Sequence, residues 1–304
     1  MQSLKTKIFT CLLSFVMAFS LIPAFNSNAA VIDAKAAITG SNLSWNLDST
    51  GTLTITGTGA MPNFVYDKTA GTIKTPWFNN RSKIKKLVIG DGVSSVGDYA
   101  FACCPNLSEI VWPSNGSLKT IGNDSFAVCA SLVNVTLPSG LTSIGKWAFE
   151  QDTKLETIAL PNTLKTIGYG AFMDCRSLQK LSLPKSLVSI GDFAFHDCYN
   201  LVSVTGGAGL QTIGRQAFEF DTRLKTFTIT SKKLKKIGVG AFRCCTSLKT
   251  ISIKKTTKLT KKGVKGSLYL SSVKKVKVKK SKVKKYKKYF TYRNCGKRSV
   301  KVRK

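Results

Sequence analysis

The sequence predicts a mainly β solenoid of about seven to eight coils of about 23 residues each. Three observations carry this. An Ile/Val-Gly dipeptide recurs at Val96-Gly97, Ile121-Gly122, Ile144-Gly145, Ile167-Gly168, Ile190-Gly191, Ile213-Gly214 and Ile237-Gly238, with spacings of 25, 23, 23, 23, 23 and 24. A phenylalanine follows in register at Phe101, Phe126, Phe149, Phe172, Phe195, Phe218 and Phe242. A leucine does the same at Leu107, Leu132, Leu155, Leu178, Leu201, Leu224 and Leu248. Such an array grows by stacking, so its 304 residues count coils and not separate cores.

Residues 1–36 have the layout of a secretory signal peptide. Lys5 and Lys7 precede an apolar run from Ile8 to Ile22, then Pro23 and small residues. Cleavage after Ala29 or after Ala36 fits the small-x-small rule. The run is short for a bilayer span and no later segment reaches membrane length, so the mature chain is expected to lack a transmembrane anchor. It is expected to be secreted or peripherally attached to the cell surface.

Residues 37–83 read as an N-terminal β cap. Polarity alternates at Leu43, Trp45 and Leu47 and again at Leu53 and Ile55 around Asp48-Ser49-Thr50-Gly51, a hairpin signal. A small carbohydrate-binding module is the alternative reading of this segment.

Residues 84–253 are the array. In the coil from Leu178 to Cys198 the apolar set is Leu178, Leu181, Leu183, Leu187, Ile190, Ala194, Phe195 and Cys198. The opening L-x-x-I-x-L alternates at its end and is closed by Pro184, which suits a short strand. Stacked coils align these strands into one parallel sheet face at about 4.8 Å per coil, with turns and short helical or 3-10 segments opposite. The glycines fall where the chain turns sharply or approaches the next coil, and the phenylalanines form an internal column. Gly206-Gly207 replaces the usual Leu-Pro, which is expected to loosen that strand end. Insertions precede Leu118 and Leu234.

The motif Ser189-Ile190-Gly191-x-x-Ala194-Phe195-x-x-Cys198-x-x-Leu201, with its copies, resembles the BspA-type leucine-rich repeats of bacterial surface and secreted proteins. The resemblance implies a leucine-rich-repeat solenoid and association with adhesion to host proteins, cells or other bacteria. It specifies the fold and leaves the ligand open.

Five cysteines, Cys104, Cys129, Cys175, Cys198 and Cys245, share one column that Asp152 and Asp221 fill in the other coils. A place taken by Cys or Asp implies a local structural role. Bridges between Cys104 and Cys129 or Cys175 and Cys198 remain the alternative. His196 is the sole histidine, in a column otherwise Ala102, Ala127, Glu150, Met173, Glu219 and Arg243, and reads as a variable surface position. With no partner for a triad, no C-x-x-C pair and carboxylates scattered singly, no catalytic site, metal site or cofactor is expected, and the chain reads as no enzyme.

A ligand is expected on one of two surfaces. Asn134, Thr157 and Lys180 lie in a hydroxyl-rich outward strand column, which equally suits a plain solvated sheet. Tyr99, Trp147, Tyr169 and Phe193 sit just before the Ala-Phe pair and could hold a sugar or peptide, or only shield the phenylalanines. Residues 254–304 form a Lys-rich degenerate coil and C-terminal cap, with 22 basic residues and no acidic one, out of a net charge of +32. Val283, Tyr286, Tyr289 and Phe290 are expected to face in. Lys274, Lys275, Lys277, Lys279, Lys280, Lys284, Lys285, Lys287 and Lys288 are the candidates for anionic cell-wall polymer. Nucleic acid fits the charge but not export, and no recognition motif supports it. The expected function is a binding scaffold for a host or bacterial surface protein or glycan. The alternative is a wall-associated protein held only by its charge.

Overall fold

The computed structural model describes residues 34–253, 258–297 and 300–304. The apolar run of the signal-peptide reading lies outside them. The chain is a β-solenoid of about nine turns, somewhat more than the periodicity predicts, because the Lys-rich end extends the stack. Strands Lys275–Val278 and Lys301–Arg303 join Thr250–Ile253 in parallel register. One inward column thus runs Leu181, Val204, Phe227, Ile251, Val276 and Val302, all buried.

Each coil also has a second, two-residue strand ending at the isoleucine of Ile-Gly. Thr120–Ile121, Ser143–Ile144, Thr166–Ile167, Ser189–Ile190, Thr212–Ile213 and Lys236–Ile237 pair in parallel. Two residues are too few to show a period, so this second ladder, distinct from the pairing of the first strands, goes beyond the one sheet face that the sequence predicts.

The glycine after each isoleucine is required by close approach. A Cβ on Gly168 would lie 2.5 Å from the carbonyl oxygen of Gly145, and one on Gly191 would lie 2.5 Å from Gly168. The seven phenylalanines stack behind them, with centroid separations of 5.2 Å from Phe126 through Phe149 and Phe172 to Phe195. Trp77 extends this column beyond Phe101, at 5.5 Å and 14°.

The segment after the glycine carries two left-handed positions per coil. Tyr99, Asp124, Trp147, Gly170, Phe193, Gln216 and Gly240 have positive φ, and so do Cys103, Val128, Gln151, Asp174, Asp197, Phe220 and Cys244. Alternation of hand turns the intervening peptides the same way. The N–H groups of Asp124, Phe126 and Val128 therefore all donate forward, to the carbonyls of Lys146, Ala148 and Glu150. The first coil's carbonyls need donors from outside. Phe64 N–H serves Asp98, and the Trp77 indole N–H serves Ala100 at 2.8 Å. At the far end Gly266 and Leu268 donate to the carbonyls of Asn294 and Cys295.

The hairpin Asn42–Leu47 with Thr52–Ala60 forms as the alternation predicts, its turn held by Asp48 accepting the Thr50 and Thr52 N–H groups at 2.9 Å. Its second strand pairs with Lys86–Ile89. Gly206 corrects one expectation. It stays in register between Leu183 and Ile229, and positive φ at Gly206 and Gly207 lets the ladder continue without loosening.

The cysteine column is a hydrogen-bond device. Cys129, Cys175, Cys198 and Cys245 aim their thiols at the carbonyls of Phe101, Phe149, Phe172 and Phe218 in the preceding coil, at 2.8–3.2 Å. The eight described cysteines are unbridged. Asp152 and Asp221 are fully buried and accept the N–H groups of Cys129 and Cys198 at 2.8 and 3.0 Å. Burial raises both carboxyls well above the usual carboxylate range, and the second oxygen of each, Oδ2, is buried without a hydrogen-bond partner among the described residues.

Two outcomes follow. Gly168→Ala forces backbone against backbone and is expected to cost about 2–3 kcal/mol, read as a lower urea midpoint; an unchanged midpoint would contradict the close contact. Iodoacetamide is expected to spare Cys104, Cys129, Cys175, Cys198 and Cys245 in the native protein and label all five after denaturation without reductant. A need for reductant would establish bridges.

Candidate functional site

Trp147, Tyr169 and Phe193 form one aromatic ladder over three coils. Ring centroids are 5.0 Å apart between Trp147 and Tyr169 and 5.3 Å between Tyr169 and Phe193. Gly170 makes the first contact possible, since a Cβ there would lie 2.6 Å from the Trp147 ring. Trp147 and Tyr169 are half-buried, whereas Phe193 is 3% exposed and meets the pair through Tyr169. The Arg215 guanidinium lies 5.7 Å from the Phe193 centroid. Any molecule reaching this ladder touches the indole and the phenol.

Asn134, Thr157 and Lys180 are exposed at the starts of strands Asn134–Thr136, Thr157–Ala159 and Lys180–Leu183. Asn134 and Thr157 stand in register, and the Thr157 hydroxyl donates to Asn134 Oδ1 at 2.6 Å. These positions belong to the first strand of the coil and the aromatics to the segment after the second. The two sets are separate surfaces.

His196 is not a surface position. Its side chain is 12% exposed, with Nδ1 2.9 Å from Asp197 Oδ2 and Nε2 3.4 Å from Glu219 Oε2. Glu219, 1% exposed, also meets Arg243 Nη1 at 2.9 Å and accepts from the Gln216 amide. Stacking places His196, Glu219 and Arg243 in successive coils with alternating charge. Burial works against the imidazolium, but the bonds to Asp197 and Glu219 prevail and raise its pKa to about 9. Nearby acids are raised as well. Burial and the Asp98 charge take Asp124 to about 7, and burial with Asp124 and Asp174 takes Glu150 to about 8. Among the described residues no group of His, Cys, Asp and Glu is arranged to hold a metal ion.

The lysine candidates divide in two. Lys274, Lys275 and Lys277 lie on or beside strand Lys275–Val278, on the outward sheet face. Lys279, Lys280, Lys284, Lys285, Lys287 and Lys288 are exposed around the short helix Val283–Lys287. Tyr286 and Phe290 are buried, and Val283 and Tyr289 pack against the core, as the spacing predicts.

The raised pKa values give stability a direction with pH. Asp124 and Glu150 stay protonated in the fold up to about 7 and 8 but ionise near 4 when unfolded, so their contribution falls as pH rises from about 4 to those values. His196 adds stability that is complete below about 6.5 and lost as pH rises through about 9. Glu150→Gln is therefore expected to gain stability relative to the parent between pH 5 and pH 8 in urea titrations. Parallel pH profiles for the two proteins would contradict a protonated Glu150.

No curated protein matches the chain. A leucine-rich repeat protein from Bacteroides ovatus is similar at 23% identity over 91% of this chain and 76% of that one, with a TM-score of 0.54. The T. pallidum leucine-rich repeat protein is 21% identical over 70% of this chain and 91% of its own, with a TM-score of 0.46. A leucine-rich cell surface protein from Faecalibacterium prausnitzii is 19% identical over 90% of this chain and 95% of its own, with a TM-score of 0.32. The family model of the BspA type leucine-rich repeat region matches residues 55–179 and 165–297. With the stacked coils, the phenylalanine column and this match over most of its length, the chain belongs to the BspA-type leucine-rich repeat family.

Proposed function

We propose that this is an exported, non-enzymatic binding scaffold that adheres to a host or neighbouring-cell protein or glycan through its repeat faces, while the basic end retains it at the cell surface. The observation that carries the reading is the Trp147–Tyr169 pair. Two large aromatics stay partly exposed, fixed by ring contacts and by the missing side chain of Gly170. Rigid amphipathic rings of this kind bind polar partners at low entropic cost. Export rests on residues 1–29. Cleavage after Ala29 leaves strand Ala34–Ala37 whole, whereas cleavage after Ala36 removes three of its four residues.

The second reading, retention by charge alone, is supported by the last 83 residues. After Asp221 the chain has 30 Lys and Arg and no carboxylate side chain. A chain cut near residue 254 is a poor test of either reading, because strand Lys275–Val278 covers Ile251 and Ile253. Substitutions keep the stack intact.

The test is binding of the mature protein and of Trp147→Ala/Tyr169→Ala to matrix proteins, glycans and purified cell wall at low and high salt. Adhesion through the array predicts salt-resistant binding to one panel member, weakened about tenfold or more by the double substitution. Binding that vanishes in salt and ignores the substitution would leave retention by charge alone.

A further inference from the structure

The sheet face ends in a cleft of about 500 Å³ whose walls are Lys249, Lys274, Lys275, Lys297 and Lys301, floored by Val273. Strand pairing builds it. Lys274 and Lys275 both donate backbone N–H groups to the Lys249 carbonyl, and Lys301 donates to that of Lys274. Register then sets Lys275 directly beside Lys301 and Lys277 beside Arg303. Lys297 is held in place by its ammonium group donating to the Ser271 carbonyl.

Like charges directly opposite on neighbouring strands destabilise a sheet. The same column holds Ser203, Thr226 and Thr250 in the preceding coils, so the strand geometry does not demand lysine. Solubility alone would be met by the exposed lysines around helix Val283–Lys287. No carboxylate side chain lies in the chain beyond Asp221 to neutralise the stack. An external anion that spans several coils would reverse the sign of this repulsion.

The composition of the walls narrows its chemistry. Ammonium groups are point charges that suit phosphate, whereas the planar fork that matches a carboxylate belongs to arginine, and among the described residues the cleft is lined by lysine and not by arginine. Among the described residues no aromatic ring lines it either, so nucleic-acid bases would find no stacking partner there. We propose that this cleft is the binding site for a linear polyol-phosphate polymer, with successive phosphodiesters lying across Lys249, Lys274 and Lys301 at the entries of three neighbouring strands. The proposal rests on the reading that the basic end retains the protein at an anionic surface, and it places that retention in the cleft and not around the helix.

The probe is purified poly(glycerol phosphate), titrated into the full mature protein at several salt concentrations. Lys249→Ser/Lys274→Ser/Lys301→Ser is compared with Lys284→Ser/Lys285→Ser/Lys288→Ser, which removes equal charge. The cleft variant is expected to bind about tenfold more weakly, with a salt slope shallower by about 3, and the helix variant to change by less than about threefold. Equal losses would overturn the cleft while sparing retention by charge. No binding by the parent protein would overturn both. Single-stranded DNA binding as tightly as the polymer would overturn the polyol-phosphate assignment. Lysine acetylation of the unaltered protein gives an independent reading: the polymer should shield Lys274, Lys275 and Lys301 and leave Lys284 and Lys288 reactive, and uniform shielding would refute the site.

Discussion

The distance between glycine backbones in successive coils governs this fold. At Gly145, Gly168 and Gly191 one coil rests on the next with no room for a Cβ. That approach matches both the inter-strand spacing of a parallel sheet, about 4.8 Å, and the offset stacking of phenylalanine rings. A bulkier residue would hold the coils apart and weaken both the strand ladders and the ring column. Stability is therefore a property of interfaces between neighbours, and the end coils require partners of another kind. Trp77 supplies both of its chemistries at the first end, a ring for the stack and an N–H for an exposed carbonyl.

The buried polar atoms obey the same geometry. A thiol in one coil reaches a phenylalanine carbonyl in the coil before, and an acid in the same column takes an N–H instead. Cys and Asp share the column through different bonds, the thiol donating to a carbonyl of the coil before and the carboxyl accepting an N–H of the coil before. Charge is handled differently where three coils meet: His196, Glu219 and Arg243 alternate in sign along one column, with buried Glu219 within ion-pair distance of both neighbours. At the basic end lysine and arginine share a row with no alternation at all.

The fold was legible in the sequence because Ile-Gly, Phe and Leu recur at a fixed period, and repetition needs no long-range inference. Other features left weaker marks. The second strand is two residues long and has no period of its own. The left-handed columns are filled mostly by Tyr, Asp, Trp, Phe, Gln, Val and Cys, so the glycine that normally marks positive φ is missing except at Gly170 and Gly240. His196 reads as a surface residue in its own coil, because its partner Glu219 is 23 residues away; opposite charges in consecutive members of one aligned column are the signal that could have found it. The aromatic ladder was visible as composition, but only the structure distinguishes the two partly exposed rings from buried Phe193. The lysine cleft could not be read from charge alone, since it depends on which strands are neighbours.

The forward-pointing peptide groups give the array a direction, and this bears on how such a chain can lengthen over generations. Every internal coil receives backbone bonds on one side and returns a matching set on the other, so its backbone joints to either neighbour are alike. An in-frame duplication of one coil, or its loss, changes neither the Trp77 end nor the Asn294 end. The number of coils is thus free to drift by whole units while the two termini stay under separate selection, and a longer or shorter lateral surface is reached in a single genetic step.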